Sequence, residues 1–385
     1  MGNLTPVMPA TEVPDIPRAC ERLRQAFGEL LDGNTAGGAS LALWHQGKQL
    51  LSLHGGEASA GRPWQAETPC LIWSASKGIS SAVTLHALQE KQIPLTTRVA
   101  DLWHEFAAAG KERITLEELL SHRAGLAAID KKGLVITDHA SVAEDLASQS
   151  PNWDFDGSHG YGARTFGFLL DEIVRRVFGE TLADRWERVF RNPLGLHLWF
   201  GLPEALVETA ATVIPPKSLP EPGPFSEAFC DPASLTRRAL SEPGGTLTPS
   251  VMNTPAMRGA SLPSLGAIAT ADSLARFYYL LASDGGGLFQ PDTLALMRTT
   301  LAKGPDRVLI DRTSFSVGFM TNDFGVYGPS RSAFGHPGAG GSLAFADPER
   351  GLGFAFIPSS MNPGALPGPR TQKLVSALYG TTVTQ

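Results

Sequence analysis

The chain has 385 residues, of which 42% are hydrophobic and 18% are charged, so it can bury one large mixed domain or two lobes. Its 32 basic and 38 acidic residues are scattered and give a net charge of -6, which leaves no basic stripe for a phosphate backbone and argues against nucleic-acid binding. The three cysteines, Cys20, Cys70 and Cys230, lie far apart, which favours a reducing compartment over a disulfide framework.

The N-terminal sequence MGNLTPVMPATEVPDIPRAC shows no basic segment followed by an apolar one. No apolar run reaches the length of about 18 residues that a membrane-spanning helix requires. We therefore expect no secretory signal, no membrane association and a cytoplasmic location.

The first predicted element is an amphipathic helix over 16–31, because apolar residues recur there at helical spacing among charged ones. Two strand-like runs then flank Gln46-Gly47, which is the pattern of a β-hairpin. Near the other end, FSVGFMT, SLAFAD and GLGFAFIPS are predicted strands, and a closing helix is predicted over 370–378.

Helical patterns and Pro/Gly-rich loops dominate the middle of the chain, with the clearest helices over 165–179 and 273–283. The segment 215–263 is too rich in Pro and Ser for elements to be assigned. This arrangement predicts an α+β fold, in which 1–76 and 282–385 form a lobe with an antiparallel sheet flanked by helices. A mainly helical lobe over 77–281 would complete a cleft that holds the site.

The segment IWSASKGISS enters a helical pattern and contains Ser74 and Lys77 three residues apart. This spacing puts both side chains on one helix face, where a lysine that burial keeps partly neutral can take the serine proton. The N-terminus of the helix favours negative charge on an attacked carbonyl oxygen. Taken alone, the tetrad fits better a helix-capping serine beside a solvated lysine.

Seven segments, in order, add context to this tetrad. They are ASLALWHQGK, IWSASKGISS, ITLEELLSHRAGL, GYGARTFGFLLDEIVRRVFG, NPLGL, GAIATADSLARFY and FGHPGAGGSLAFADPERGLGFAF. The set resembles the serine β-lactamase and penicillin-binding protein superfamily, especially its class C-like branch and the related family VIII carboxylesterases. The resemblance covers 38 to about 357 and implies the β-lactamase-like (DD-peptidase-like) fold, with the active site between the sheet and the helical lobe.

By this resemblance Ser74 is the acylated serine, Lys77 is its partner, and Tyr161 faces both from the helical lobe. A phenol beside an ammonium has its ionised form stabilised, so we expect Tyr161 to relay a proton. Without the resemblance, Tyr161 fits equally a partly buried aromatic residue before a helix.

The segment 336–338, His-Pro-Gly, falls where relatives carry Lys-Thr-Gly or His-Thr-Gly on a strand that lines the cleft. Its glycine-rich surroundings allow close backbone approach, so the backbone N–H groups of Ser74 and Ala339 are the expected oxyanion hole. The residues expected to contact substrate are His336, Gly338 and Trp153. A glycine-rich turn, and a histidine bonded only within the structure, are the alternative interpretations.

Departures from the family pattern bear on the substrate. Ala163 replaces the asparagine that holds a substrate amide in class C β-lactamases. In the His-Pro-Gly segment at 336–338, His336 and Pro337 replace a lysine and a threonine that help to bind a lactam carboxylate. These replacements favour neutral esters over lactams.

Other features are interpreted as structural or are lacking. His122, in SHRAGL, is interpreted as a helix-terminal histidine that bonds backbone carbonyls. The nine histidines form no metal-ligand spacing, and no Gly-rich phosphate loop or G-x-S-x-G elbow occurs, so no metal and no cofactor are expected.

The sequence therefore predicts a serine hydrolase that acts as a carboxylesterase on a small-molecule ester through an acyl-enzyme on Ser74. The alternatives that keep the same Ser-Lys-Tyr site are a β-lactamase, a D-aminopeptidase-type hydrolase and an acyltransferase. A metal hydrolase and a catalytically silent binding protein on the same fold are the alternatives from other classes.

Overall fold

The computed structural model describes residues 15–33, 36–218, 220–246 and 248–381. Within these ranges the strands are β1 (Gly38–His45), β2 (Lys48–Ser59), β3 (Arg62–Pro63), β4 (Cys70–Leu71), β5 (Leu198–Phe200), β6 (Ala267–Ala269), β7 (Ala302–Pro305), β8 (Arg312–Phe315), β9 (Met320–Thr321), β10 (Phe334–Pro337), β11 (Leu343–Asp347) and β12 (Leu352–Pro358). The α-helices are α1 (Ile16–Asp32), α2 (Ser76–Glu90), α3 (Val99–Leu102), α4 (Leu116–Leu120), α5 (His139–Ser148), α6 (Thr165–Phe178), α7 (Leu182–Arg185), α8 (Asn192–Leu194), α9 (Pro224–Cys230), α10 (Leu235–Ser241), α11 (Pro255–Gly259), α12 (Ala271–Ala282), α13 (Pro291–Arg298) and α14 (Pro369–Tyr379).

A large antiparallel sheet joins the two ends of the chain. Its nine strands lie in the order β3-β2-β1-β12-β11-β10-β9-β8-β7. Strand β1 pairs with β12 in a register that sets Ala42 opposite Ala355. The terminal segments thus build one sheet, and the predicted α+β class is confirmed.

The two faces of the large sheet carry side chains of different size, because alternate residues of a strand point to opposite faces. Leu41 and Phe354 belong to a hydrophobic cluster shared with α1 and α14. Ala42 and Ala355 belong to the other cluster, which includes α12 and α2. A Cβ on Gly353 would strike the backbone of α12, so the small residues of this face allow the helix to approach closely.

A second sheet of three strands, in the order β4-β6-β5, lies between the large sheet and the helices of the middle segment. The sequence did not predict these strands, each of which has only two or three residues. Helix α12 packs on β1, β11 and β12, although all of it except Ala282 lies within 77–281. The division of the chain at 76/77 and 281/282 stays a prediction.

Most elements with a strong local pattern agree with the sequence. Helices α1, α6, α12 and α14 match their predicted positions within two residues at each end, and the hairpin turns at Gln46-Gly47, whose φ angles are 47° and 74°. The prediction of FSVGFMT as one strand is wrong. A turn at Gly318, with φ 88°, separates β8 from β9 there. No helix of the described ranges is long and apolar enough to cross a membrane.

Candidate active site

Ser74 lies in a strained turn at the start of α2. The turn is a 3₁₀ segment, Trp73–Ala75, and Trp73 has a φ of 51°, in a left-handed region that costs a non-glycine residue about 1–3 kcal/mol. Ser76 holds this turn: its Oγ donates to Trp73 O at 2.5 Å and accepts from the Ala267 N–H of β6 at 3.0 Å. The position of Ser74 is therefore fixed between α2 and the small sheet.

The Lys77 amine is fully buried beside the Ser74 hydroxyl. Its Nζ lies 3.2 Å from Ser74 Oγ and donates to Ala163 O at 2.7 Å and to Ser264 O at 2.9 Å. Burial, followed by the charge of Arg164, holds the pKa of Lys77 well below its ordinary value. A neutral amine has two N–H donors, which the two carbonyls accept, and its lone pair is left for the Ser74 hydroxyl.

Tyr161 completes the group that the sequence predicted. Its ring centroid lies 4.7 Å from Lys77 Nζ, and its Oη is buried with no hydrogen-bond partner in good geometry among the described residues. Burial raises the pKa of Tyr161, and a weaker interaction with Ser74 opposes this. The expectation that a neighbouring ammonium stabilises an ionised Tyr161 is therefore wrong, because burial raises the pKa of Tyr161 and lowers that of Lys77. Tyr161 is a neutral phenol that can donate a proton.

Two buried side chains hold the backbone around Tyr161. Asp306 Oδ1 accepts from the Tyr161 N–H at 3.1 Å. His122 Nδ1 accepts from the Gly162 N–H at 3.2 Å. His122 does follow the end of α4, as predicted, but it bonds a backbone N–H and not backbone carbonyls. Its burial, together with the charge of Lys77, keeps the pKa of His122 well below its ordinary value.

His336 lies on β10, with its ring centroid 5.7 Å from that of Tyr161. Its Nδ1–H donates to Pro337 O at 2.7 Å, which leaves Nε2 as a buried acceptor without a partner in the described part of the chain. Burial, followed by the Lys77 charge, lowers the pKa of His336 to about 3. The imidazole is therefore neutral at ordinary pH, and this position carries no cation.

The end of β10 packs against the chain just before Ser74. Ser342 Oγ donates to Ile72 O at 2.9 Å, and a Cβ on Gly338 would strike the same carbonyl. The Gly338 N–H donates to Ser342 O at 2.7 Å, so it is occupied. Ala339 follows directly, and the first N–H groups of a helical turn such as that of Ser74 have no intrahelical acceptor. The expected oxyanion pair therefore comes from adjoining backbone segments.

Trp153 lies on the Tyr161 side of the site. It packs against the hydrophobic cluster that contains Tyr161 and Ala163. Its ring is close to Gly160 and lies 5.7 Å from the Arg307 guanidinium. The structure thus puts an aromatic surface next to the turn Tyr161–Ala163, called here the tyrosine turn.

Several residues that shape the site were missed by the sequence analysis. Ser264 contacts Lys77 from 187 residues away in the chain, and Asp306 contacts Tyr161 from 145 residues away. No local sequence pattern could reveal such contacts. Ser76 lies within the tetrad itself, but its bonds depend on β6, which was not predicted. Among the described residues, no group of three His, Cys, Asp or Glu side chains is placed to hold a metal ion.

The fold and the pairing of Ser74 with the buried Lys77 define a serine hydrolase, and the chain belongs to the beta-lactamase family, whose model matches residues 23–378. The esterase/beta-lactamase LipL of Mycobacterium tuberculosis is 30% identical over 355 residues, which are 86% of this chain and 79% of LipL. A penicillin-binding protein homolog from Caulobacter crescentus has 31% identity and a TM-score of 0.85, covering 96% of this chain and 99% of its own. A family VIII carboxylesterase has 30% identity and a TM-score of 0.85, covering 94% and 97%. The predicted family and β-lactamase-like fold are confirmed.

Proposed function

We propose that this hydrolase is a carboxylesterase that cleaves small neutral esters through an acyl-enzyme on Ser74. The observation that carries the proposal is the buried Lys77 amine, which lies 3.2 Å from Ser74 Oγ, is bonded to the carbonyls of Ala163 and Ser264, and has its pKa held well below the ordinary value by burial. The esterase name of LipL and the carboxylesterase among the solved relatives support ester as the substrate class. The cytoplasmic location stays a prediction.

Acylation begins when Ser74 Oγ attacks the ester carbonyl and its proton passes to Lys77 Nζ. The negative oxygen that forms is stabilised by the N–H groups of Ser74 and Ala339. When the bond to the alcohol oxygen breaks, Tyr161 Oη–H gives its proton to that oxygen and regains one from Lys77. The alcohol leaves, and Lys77 is neutral again.

Deacylation follows the same path in reverse with water in place of the alcohol. As the water oxygen attacks the acyl carbon, its proton passes to Tyr161 Oη, the Tyr161 proton passes to Lys77 Nζ, and the oxyanion forms again at the same two N–H groups. The bond to Ser74 Oγ then breaks, and Ser74 recovers its proton from Lys77. The acid is released and the site is restored.

The choice of neutral esters rests on the side chains at two places in the site, position 163 and the pair 336–337. Ala163 presents a methyl group where a side-chain amide would hold a substrate amide. His336 is neutral and Pro337 has no hydroxyl, so neither offers an ion pair or hydrogen bond to a substrate carboxylate. A substrate with no amide and no carboxylate loses nothing at either position.

The test is hydrolysis of p-nitrophenyl acetate and butyrate by the wild type and by S74A, with intact-mass analysis after acylation by a fluorophosphonate. We expect one adduct on Ser74 in the wild type, no adduct in S74A, and turnover reduced at least about a thousandfold. The exposed serine variant S52A is the matched control and should behave as wild type. Wild-type turnover by S74A would overturn the proposal.

A β-lactamase activity is the second candidate, because LipL carries that name beside esterase. Nitrocefin hydrolysis distinguishes the two candidates. The proposal predicts a kcat/KM for nitrocefin well below that for the esters, and predicts that A163N narrows the gap by restoring an amide at that position. A nitrocefin kcat/KM equal to that for the esters would favour the lactam.

A further inference from the structure

Arg164 directly follows the turn Tyr161–Ala163, and its cationic side chain is buried, with only 6% exposed. The guanidinium donates to three backbone carbonyls of one segment: Nε to Leu240 O at 2.9 Å, Nη1 to Pro243 O at 2.7 Å and Nη2 to Thr246 O at 3.4 Å. Burial lowers the pKa of Arg164 to about 10; the charge of Glu242 opposes this and that of Arg237 adds to it, although no carboxylate of the described residues lies within salt-bridge distance of the guanidinium. The cost of burying this charge is therefore offset by the three carbonyls and, at longer range, by Glu242.

The backbone of Arg164 is bonded to the carbonyl frame of Lys77, by which we mean the carbonyls of Ala163 and Ser264 that accept from the amine. Its carbonyl accepts from Ser264 Oγ at 2.8 Å, and the same Oγ accepts from the Gly167 N–H at 2.5 Å. These two bonds fix Ser264 relative to Ala163. The carbonyls of Ala163 and Ser264 are the two acceptors of the Lys77 amine. Any shift of Arg164 therefore changes where the Lys77 amine points.

The segment 240–246 lies on the same side of the molecule as the tyrosine turn. Leu240 packs against the hydrophobic cluster that includes Tyr161 and Ala163. Upstream, Thr236 Oγ1 donates to Val308 O at 2.7 Å, in the loop of Asp306. The segment is thus linked both to Arg164 and to the loop that holds the Tyr161 backbone.

We propose that Arg164 is a positioning residue for the Ser74–Lys77 pair, which it serves by fastening 240–246 to the carbonyl frame that orients the Lys77 amine. The inference rests on the proposed function, because it assigns Arg164 a part in that chemistry. The fixed charge of Arg164 acts in the same sense: after burial, it is the second cause of the lowered pKa of Lys77. Arg164 itself contacts no reacting atom.

The experiment compares R164Q and R164K with the wild type in the pH dependence of kcat/KM for p-nitrophenyl acetate. The acidic limb is the pH range in which kcat/KM falls as Lys77 becomes protonated. Glutamine removes the charge of Arg164, so this limb should move to higher pH by about one unit, which lowers kcat/KM about tenfold at pH values below the limb. Lysine keeps the positive charge but has fewer N–H donors for the carbonyls of 240–246. In R164K the acidic limb should therefore stay at its wild-type pH, while amide hydrogen exchange in 240–246 becomes faster.

The matched control is R258Q. Arg258 is also buried and also donates to backbone carbonyls, Val207 O at 2.7 Å and Ala211 O at 3.2 Å, but it has no bond to the Lys77 frame. We expect R258Q to lower thermal stability and to leave the acidic limb in place. A purely structural role for Arg164 would make both glutamine variants alike.

An unmoved limb in folded R164Q, or an equal shift in R258Q, would overturn the inference. If R164Q does not fold, R164K decides: a shifted limb, or unchanged exchange in 240–246, would overturn it. Activity that survives in S74A would overturn the proposed function instead. Activity that depends on Ser74 while R164Q keeps the wild-type limb would remove only the role of Arg164.

Discussion

Replacing His336 with Asn is expected to make the fold less sensitive to acid. The His336 side chain is buried, and its pKa is lowered to about 3 from an ordinary 6.5. Between these two pH values the unfolded chain binds a proton on this residue that the folded chain does not. Stability is therefore complete above about pH 6.5 and is lost as the pH falls toward 3. Asparagine does not titrate, and its amide can keep a donor near Pro337 O.

The size of the effect follows from the shift. The full difference of about 3.5 pKa units corresponds to about 5 kcal/mol at the acid end of the window. A pH of about 4.5 is about 2 units below the pKa of His336 in the unfolded chain, while the folded ring is still neutral. The loss in the free energy of unfolding has therefore reached about 2.7 kcal/mol. Between about pH 7 and 4.5, the wild type should lose about 2.5 kcal/mol more than H336N.

The assay is urea denaturation followed by tryptophan fluorescence at several pH values in this range. H54N, at an exposed histidine on β2, is the matched control and should parallel the wild type. His122 acts in the same direction and is still present in H336N, so the variant keeps part of the pH dependence. Equal slopes for the wild type and H336N would refute the reasoning, because they would mean that the folded ring takes up its proton without cost.

Three further predictions concern the catalytic helix and the tyrosine. Y161F should slow hydrolysis of ethyl esters by about 10²–10⁴-fold but that of p-nitrophenyl esters far less, because nitrophenolate leaves without a proton; parallel kcat measurements check this, and equal losses would contradict it. K77M should abolish turnover and remove a rise in stability with pH. Burial lowers the pKa of Lys77 below its ordinary value of 10.5, so the folded wild type binds fewer protons than the unfolded chain and gains stability as the pH rises toward 10.5. K77M lacks this amine and should show no such gain. Urea denaturation near neutral pH and near pH 9.5 measures the difference, and a parallel rise in K77M would contradict it. S76A should cost about 1–3 kcal/mol, since it frees Trp73 O and the Ala267 N–H; an unchanged urea midpoint would show that Ser76 does not hold the turn.

The parts of the site that share one element could be predicted from the sequence. Ser74 and Lys77 are one helical turn apart, so their proximity follows from the geometry of α2. The carbonyls that hold the amine could not be predicted, because Ala163 and Ser264 lie 86 and 187 residues away in the chain. Long-range contacts of this kind depend on how α6 and the loop before β6 pack, which periodicity does not encode.

The same limit applies to the fold. The hairpin at Gln46-Gly47 and helix α1 depend on neighbours in the chain, and both were found. The turn at Gly318 was missed because FSVGFMT has an alternating apolar pattern. Close packing around Gly318 explains why β8 ends before β9 begins. A Cβ on Gly318 would strike Ser81 Oγ and lie 2.8 Å from Phe166 Cζ, so the chain bends where α2 and α6 approach the sheet.

The error over Tyr161 shows how burial outweighs charge in this site. From the sequence, a tyrosine next to a lysine suggests a phenolate beside an ammonium. In the structure both groups are buried, and burial raises the pKa of Tyr161 while it lowers that of Lys77. In the proposed mechanism the amine is then the base and the phenol the acid, which is the pairing that cleavage of an ester would use.

Burial also connects the chemistry to the substrate and to Arg164. Burial keeps Tyr161 and His336 neutral and lowers the pKa of Lys77, which disfavours its charged form, so the proposed neutral ester would enter without breaking an ion pair. The nearby cation, Arg164, has its N–H groups bonded to carbonyls and acts through its field and its contacts with 240–246. A cation held this way favours a neutral Lys77 without becoming a binding site for anions. The clear consequence is that R164Q should alter the pH range of the reaction, while the preference for neutral esters should stay as it is in the wild type.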